Sequence, residues 1–134
     1  MPKLRRYRIF ISHAWDYDEY ERIKDFLNST PNFAYSDYSV PRHNSLVAKN
    51  TKELKEGLKR LIGLSHIVIV PAGMEINYRP FIRFELEIAT HMAKPILGVI
   101  PRGNLRVPRA MDIACDTIGW NRLSIVNAIR CYAL

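Results

Sequence analysis

Cysteine is scarce in this chain: only Cys115 and Cys131 occur among 134 residues. Two cysteines without metal-ligand spacing exclude a disulfide-stapled scaffold and point to a reducing, cytoplasmic setting. No run of 18 or more apolar residues is present, so no membrane span is expected. The start, Met1 to Arg8 (MPKLRRYR), leads straight into a short β-type run, not into a signal peptide's apolar region. Glycine-rich phosphate loops are missing in both common forms, Walker and GxGxxG. His43, His66 and His91 show no metal spacing, so neither a metal nor a resident cofactor is expected. Acid is also in deficit, with 13 Asp and Glu against 20 Lys and Arg, a net charge of +7. Such a field favours anionic partners. Yet no recognition helix, zinc finger or aromatic-interleaved basic strand accompanies it, which argues for a solubilising surface and against nucleic acid.

What is present is a regular alternation of strand and helix patterns. Hydrophobic content of 48% and charged content of 25% are ordinary for a globular chain, and the length suits a single domain over residues 1–134. Tyr7 to Ser12 (YRIFIS) reads as a strand. A helix begins at Asp16 with Glu19 as a capping-box partner, and Tyr20, Ile23, Phe26 and Leu27 form its buried stripe. Phe33 to Tyr38 is a second strand, followed by a polar loop, Ser39 to Lys49. Asn50 caps the next helix, whose inner face carries Leu54, Leu58, Leu61 and Ile62. His66 to Val70 (HIVIV) and Ile96 to Ile100 (ILGVI) are apolar enough for central parallel strands. A short helix is expected over Arg109 to Cys115, a stub of strand over Thr117 to Gly119, and a last helix over Arg122 to Tyr132. This order predicts a flavodoxin-like three-layer α/β domain with a five-stranded parallel sheet, order 2-1-3-4-5.

One carboxylate stands on the wrong side of a helix. Arg79 to Ala93 is amphipathic, with Phe81, Ile88, Ala89 and Met92 on one stripe, and Glu85 lies in the middle of it. Glu87 is rotated about 200° away, where it can pair with Arg83 on the solvent side. Glu85 therefore points at the body of the protein, where an ionised carboxylate is costly unless it is paired or used. From spacing alone, a structural salt bridge or a boundary carboxylate reaching solvent remains open beside a functional role.

In open parallel sheets ligands bind beyond the carboxyl ends of the strands, at the switch point between the first and third. The residues that converge there are Ser12 to Trp15, then Asp37 to Ser39, then the loop leading to Phe81 and Glu85. Several chemistries are excluded. A phospho-receiver needs an acidic pair after the first strand, and this chain has Ser12-His13; a flavin loop would be rich in Ser, Thr and Gly, and SHAWDYD is not. Adjacent Ser12 and His13 diverge at a strand end and form no nucleophilic dyad.

With these residues assembled, the chain resembles the TIR-like (Toll/interleukin-1 receptor homology) family, closest to the small bacterial TIR-like proteins of the Thoeris anti-phage type. The carriers are RIFISHAWDYDEY at Arg8 to Tyr20, DYSVPRHNS at Asp37 to Ser45, HIVIV, and NYRPFIRFELEIATHMAKPILGVIP at Asn77 to Pro101. In the last block an aromatic, Phe81, stands four positions before Glu85, and Lys94-Pro95 opens an aliphatic strand. The family more often has tryptophan at the aromatic position, so Phe81 is a departure. The resemblance implies cytoplasmic cleavage of nicotinamide from NAD in anti-phage defence, with linear or cyclic ADP-ribose as product. NAD would be the substrate rather than a cofactor, and Glu85 the catalytic residue. It further implies a substrate pocket lined by Phe10, Ser12, His13, Asp37, Ser39 and Phe81. Homo-oligomerisation on activation, a viral trigger protein and no membrane partner complete the expectation. The alternative is a non-catalytic TIR-type adaptor that assembles through the Ser39 to Lys49 loop.

Overall fold

Alternate side chains along the central strands divide the interior into two halves. A computed structural model describes residues 5–12, 19–39, 51–71, 80–100 and 114–134; of residues 19, 51–54 and 80–82 it describes the backbone only. The elements are β1 (Arg6–Ile11), α1 (Glu19–Asn28), β2 (Ala34–Asp37), α2 (Thr51–Leu64), β3 (Ile67–Pro71), α3 (Pro80–His91), β4 (Ile96–Ile100), β5 (Asp116–Gly119) and α4 (Arg122–Tyr132). All strand pairs are parallel and the order is β2-β1-β3-β4-β5, the flavodoxin-like arrangement expected from the alternation of periods.

Phe10, Val68, Val70 and Ile96 face α2 and α3, where they bury Leu58, Ile62, Leu86, Ile88 and Ala89. Ile9, Ile11, Ile67, Ile69, Leu97 and Val99 face α1 and α4, against Ile23, Leu27, Ile125, Val126 and Ile129. Apolar side chains on both faces are what a central parallel strand requires once helices cover the sheet on each side. The period of two has a consequence for the site. Ser12, two positions after Phe10, falls on the α2 and α3 side, whereas Ile11 falls on the other.

Most expected elements are found, within a residue or two at their ends. The helix expected over Arg109 to Cys115 is not continued through its last two positions. Ala114 lies outside any helix, and the backbone N–H of Cys115 donates to Ile96 O at 2.8 Å, which draws it alongside β4 as the lead-in to β5. Residues 109–113, like the caps expected at Asp16 and Asn50, lie outside the described residues. In α3 the stripe is broader than spacing suggested, because Leu86 is buried beside Glu85. The turn after α3 puts Ala93 in the left-handed region, φ 56°, with Lys94 N donating to Ala89 O at 2.9 Å. This reversal satisfies a late helix carbonyl and turns the chain into β4. No helix among the described residues is long and apolar enough to cross a membrane.

Candidate active site

The sheet delivers Ser12 to the carboxyl end of β1, and α3 delivers Glu85 opposite it. Ser12 N donates to Ile69 O at 2.8 Å, extending the β1–β3 ladder by one rung and fixing the backbone from which the hydroxyl projects. Ser12 is wholly buried, and its hydroxyl donates to Oε2 of Glu85. Glu85 itself is 2% exposed. Burial pushes its carboxyl up to about 8, and the Ser12 hydrogen bond pulls only partly in the other direction. Glu87, two positions on, is exposed, as is Arg83. The inward turn of Glu85 read from spacing is therefore present in the fold. Both structural alternatives recede. The carboxyl does not reach solvent, and among the described residues no cation pairs with it.

The end of β2 braces this arrangement from the other side. Ser39 Oγ accepts the Ile11 N–H at 2.8 Å, and Ser39 N donates to Asp37 Oδ1 at 2.9 Å. Asp37 Oδ2 accepts from the Tyr20 hydroxyl and lies 3.4 Å from Lys24 Nζ. Burial favours protonation of Asp37, but hydrogen bonds from Ser39 and Tyr20 and the Lys24 charge outweigh it and hold the carboxyl below its ordinary range. Burial first, then the bond to Asp37, pushes the Tyr20 phenol well above its ordinary value.

Of the residues expected to line a pocket, Ser12, Ser39 and Glu85 are thus connected around the end of β1. Asp37 reaches the same cluster, but its two oxygens are engaged by Tyr20, Lys24 and Ser39. Phe10 is fully buried among Leu58, Val68 and Leu86, in the core beneath the site. His13 lies outside the described residues, as does the side chain of Phe81. Sequence reasoning placed Tyr20 in a buried stripe and passed over Lys24. A signal existed, since the two stand at i, i+4 on one face of α1, with Lys24 Nζ 5.3 Å from the Tyr20 ring centre. Among the described residues no three His, Cys, Asp or Glu side chains gather where a metal ion would sit.

A family model described as "Thoeris protein ThsB, TIR-like domain" matches residues 10–106, a span that holds every residue of this cluster. The chain belongs to that family. Against the curated proteins the sequence has no significant match. Among solved structures, Clostridium botulinum CMP N-glycosidase, BcmB, superposes with a TM-score of 0.56 over 93% of this chain and 99% of that one, at 15% identity. At that identity the likeness is one of fold.

Proposed function

We propose that this TIR-like protein is a nucleotide N-glycosidase that cleaves nicotinamide from NAD, with Glu85 as its catalytic residue. The observation that carries the reading is a buried carboxyl, without a cationic partner among the described residues, held by one hydroxyl at the β1 end of a parallel sheet. A carboxyl so placed is costly to ionise, and membership of the TIR-like Thoeris family supports using it for NAD. The CMP N-glycosidase of related fold is, by its name, an enzyme of N-glycosidic bonds, which supports the reaction class.

The chemistry suits one carboxyl. Nicotinamide leaves from a cationic pyridinium as a neutral base, so its departure requires no general acid, unlike glycoside cleavage with two carboxylates. In the resting site Glu85 is largely protonated near neutral pH. A pyridinium entering beside it favours the ionised form, so the substrate itself generates the charge that the reaction needs. The carboxylate then stabilises the oxocarbenium-like transition state and accepts a hydrogen bond from a ribose hydroxyl. The ribosyl cation is captured by water, giving ADP-ribose, or by a nucleophile within the nucleotide, giving a cyclic product; a dry, folded site favours the second. Self-assembly around a viral trigger would close the site, and Trp15, Tyr38 and Phe81 are the aromatic residues in position in the sequence to stack on adenine.

Glu85→Gln tests the reading, with Glu87→Gln as the control on the exposed face. Assembled protein is incubated with NAD, and separately with CMP, and products are resolved by mass. Loss of nicotinamide release on the order of a thousandfold is expected for the first variant and less than about twofold for the second. Equal losses would remove Glu85 from its assigned role. Release of cytosine in place of nicotinamide would reassign the substrate, and a folded wild-type assembly that cleaves neither would leave the adaptor.

A further inference from the structure

Ser12 was expected to line the substrate pocket. The fold gives its hydroxyl another task. A serine has one O–H to donate, and here it goes to Oε2 of Glu85. Ser12 is wholly buried, its N–H is tied to Ile69 O at 2.8 Å, and the residue before it is clamped by Ser39 Oγ at 2.8 Å. Ser39 is in turn bonded to Asp37, which Tyr20 and Lys24 hold. The hydroxyl therefore sits on a frame anchored in β1, β2, β3 and α1, and it meets a side chain carried by α3. Among the described residues it is the only polar group on Glu85. The charged side chains described on α2 and α3, Lys55, Glu56, Lys59, Arg60, Arg83 and Glu87, are exposed, and none of them shifts Glu85.

We propose that Ser12 is a positioning residue for Glu85: its hydroxyl fixes Oε2 and leaves Oε1 to meet the sugar hydroxyls of the bound nucleotide. The inference rests on Glu85 being the reacting carboxyl. A long carboxylate side chain has three rotatable bonds, and a misplacement of about 1 Å at the reacting centre costs on the order of a hundredfold in rate. A hydrogen bond from the anchored end of β1 removes that freedom. The same bond favours the charged form of Glu85, because a hydroxyl donating to a carboxylate stabilises its charge more than its protonated form.

Ser12→Ala removes the donor with little change in volume, and Ser12→Thr restores it. In the assembled protein, Ser12→Ala lowers kcat for nicotinamide release on the order of tenfold to a hundredfold while KM stays within about threefold, and Ser12→Thr recovers most of the loss. A second measurement needs no turnover. Stability of wild type, Ser12→Ala and Glu85→Gln is followed from pH 5 to pH 9, and the decline that Glu85→Gln abolishes is the titration of Glu85. Without the Ser12 bond the onset of this decline, set by the unfolded chain, stays in place while its upper end moves to higher pH by about one unit. An unmoved titration overturns the proposal, and so does a rise in KM at unchanged kcat, which would make Ser12 a substrate contact. A Thr variant as impaired as the Ala variant overturns it too. If Glu85→Gln turns NAD over like wild type, the reading of Glu85 fails instead, while the titration still reports on the pair.

Discussion

Ser39 Oγ accepts the backbone N–H of Ile11, 28 residues earlier, at 2.8 Å. A side chain just beyond β2 thereby holds the last residue of β1, one position before the hydroxyl that meets Glu85. Ser39→Ala deletes the acceptor of a buried N–H. The expected cost is about 1–2 kcal/mol of unfolding free energy, read by denaturant titration at pH 7. A change below about 0.3 kcal/mol would mean that the N–H finds another partner at once.

Glu85 makes stability depend on pH in a defined sense. Its carboxyl is raised from 4.5 to about 8, so between those values the folded protein holds a proton that the unfolded chain has lost. Stability from this group is therefore full at or below about pH 4.5 and falls as pH rises toward about 8. The slope is at most about 1.4 kcal/mol per pH unit. Glu85→Gln should flatten this part of the profile, measured by denaturation at several pH values. A wild-type curve that does not fall over the interval would mean that the carboxyl is solvated or paired.

His66 acts in the opposite direction. Its Nδ1 accepts the Arg8 N–H at 2.9 Å, a bond that only the unprotonated nitrogen can make. Burial, then the charges of Arg8, Arg5 and Lys94, lower its pKa from the ordinary 6.5. The unfolded chain thus binds the proton first, and stability from this group is intact above about pH 6.5 and is lost as pH falls below it. His66→Asn keeps an acceptor oxygen near the Nδ1 position but cannot titrate. Its stability should lack the acid-side loss that wild type shows below pH 6.5, once the Glu85 contribution is removed in a Glu85→Gln background.

The turn after α3 offers a stabilising change. Ala93 adopts φ 56°, a conformation that costs an L-residue with a Cβ but not glycine. Ala93→Gly is expected to add about 0.5–1 kcal/mol of stability after the entropy of the unfolded chain is set against the relief of strain. Thermal melting checks it, and a lower Tm would show that the Ala93 methyl makes contacts worth more than the strain.

Much of this protein is legible in its sequence because periodicity is a local property. Apolar runs at Ile67 to Val70 and Ile96 to Val99 are short and β-branched enough to fit strands covered on both faces, and the 3.6-residue stripes of α1 to α4 supply the covering helices. The same periodicity turns Glu85 inward and Glu87 outward. Connections of helical length between the apolar strands leave parallel pairing as the simple solution. Local pattern weakens where tertiary pairing competes with it. Cys115 reads as the end of a short helix, yet its N–H is taken by Ile96 O.

The partners were decided by tertiary structure alone. Nothing in the spacing of Ser12 and Glu85 says that a hydroxyl will meet a carboxyl 73 positions away. The meeting requires the parity of β1, the β1–β3 register and the packing of α3 on one face of the sheet, taken together. Asp37 likewise looked free for a ligand because Tyr20 and Lys24 sit on a different element, and only the docking of α1 beside β2 brings them onto its oxygens. Sequence determines which groups face inward, since that depends on neighbours three or four residues away. Which inward group finds which depends on long-range contacts, and it decides whether a buried ionisable group is neutralised by a cation, engaged by several hydrogen bonds or, as at Glu85 among the described residues, held by one hydroxyl.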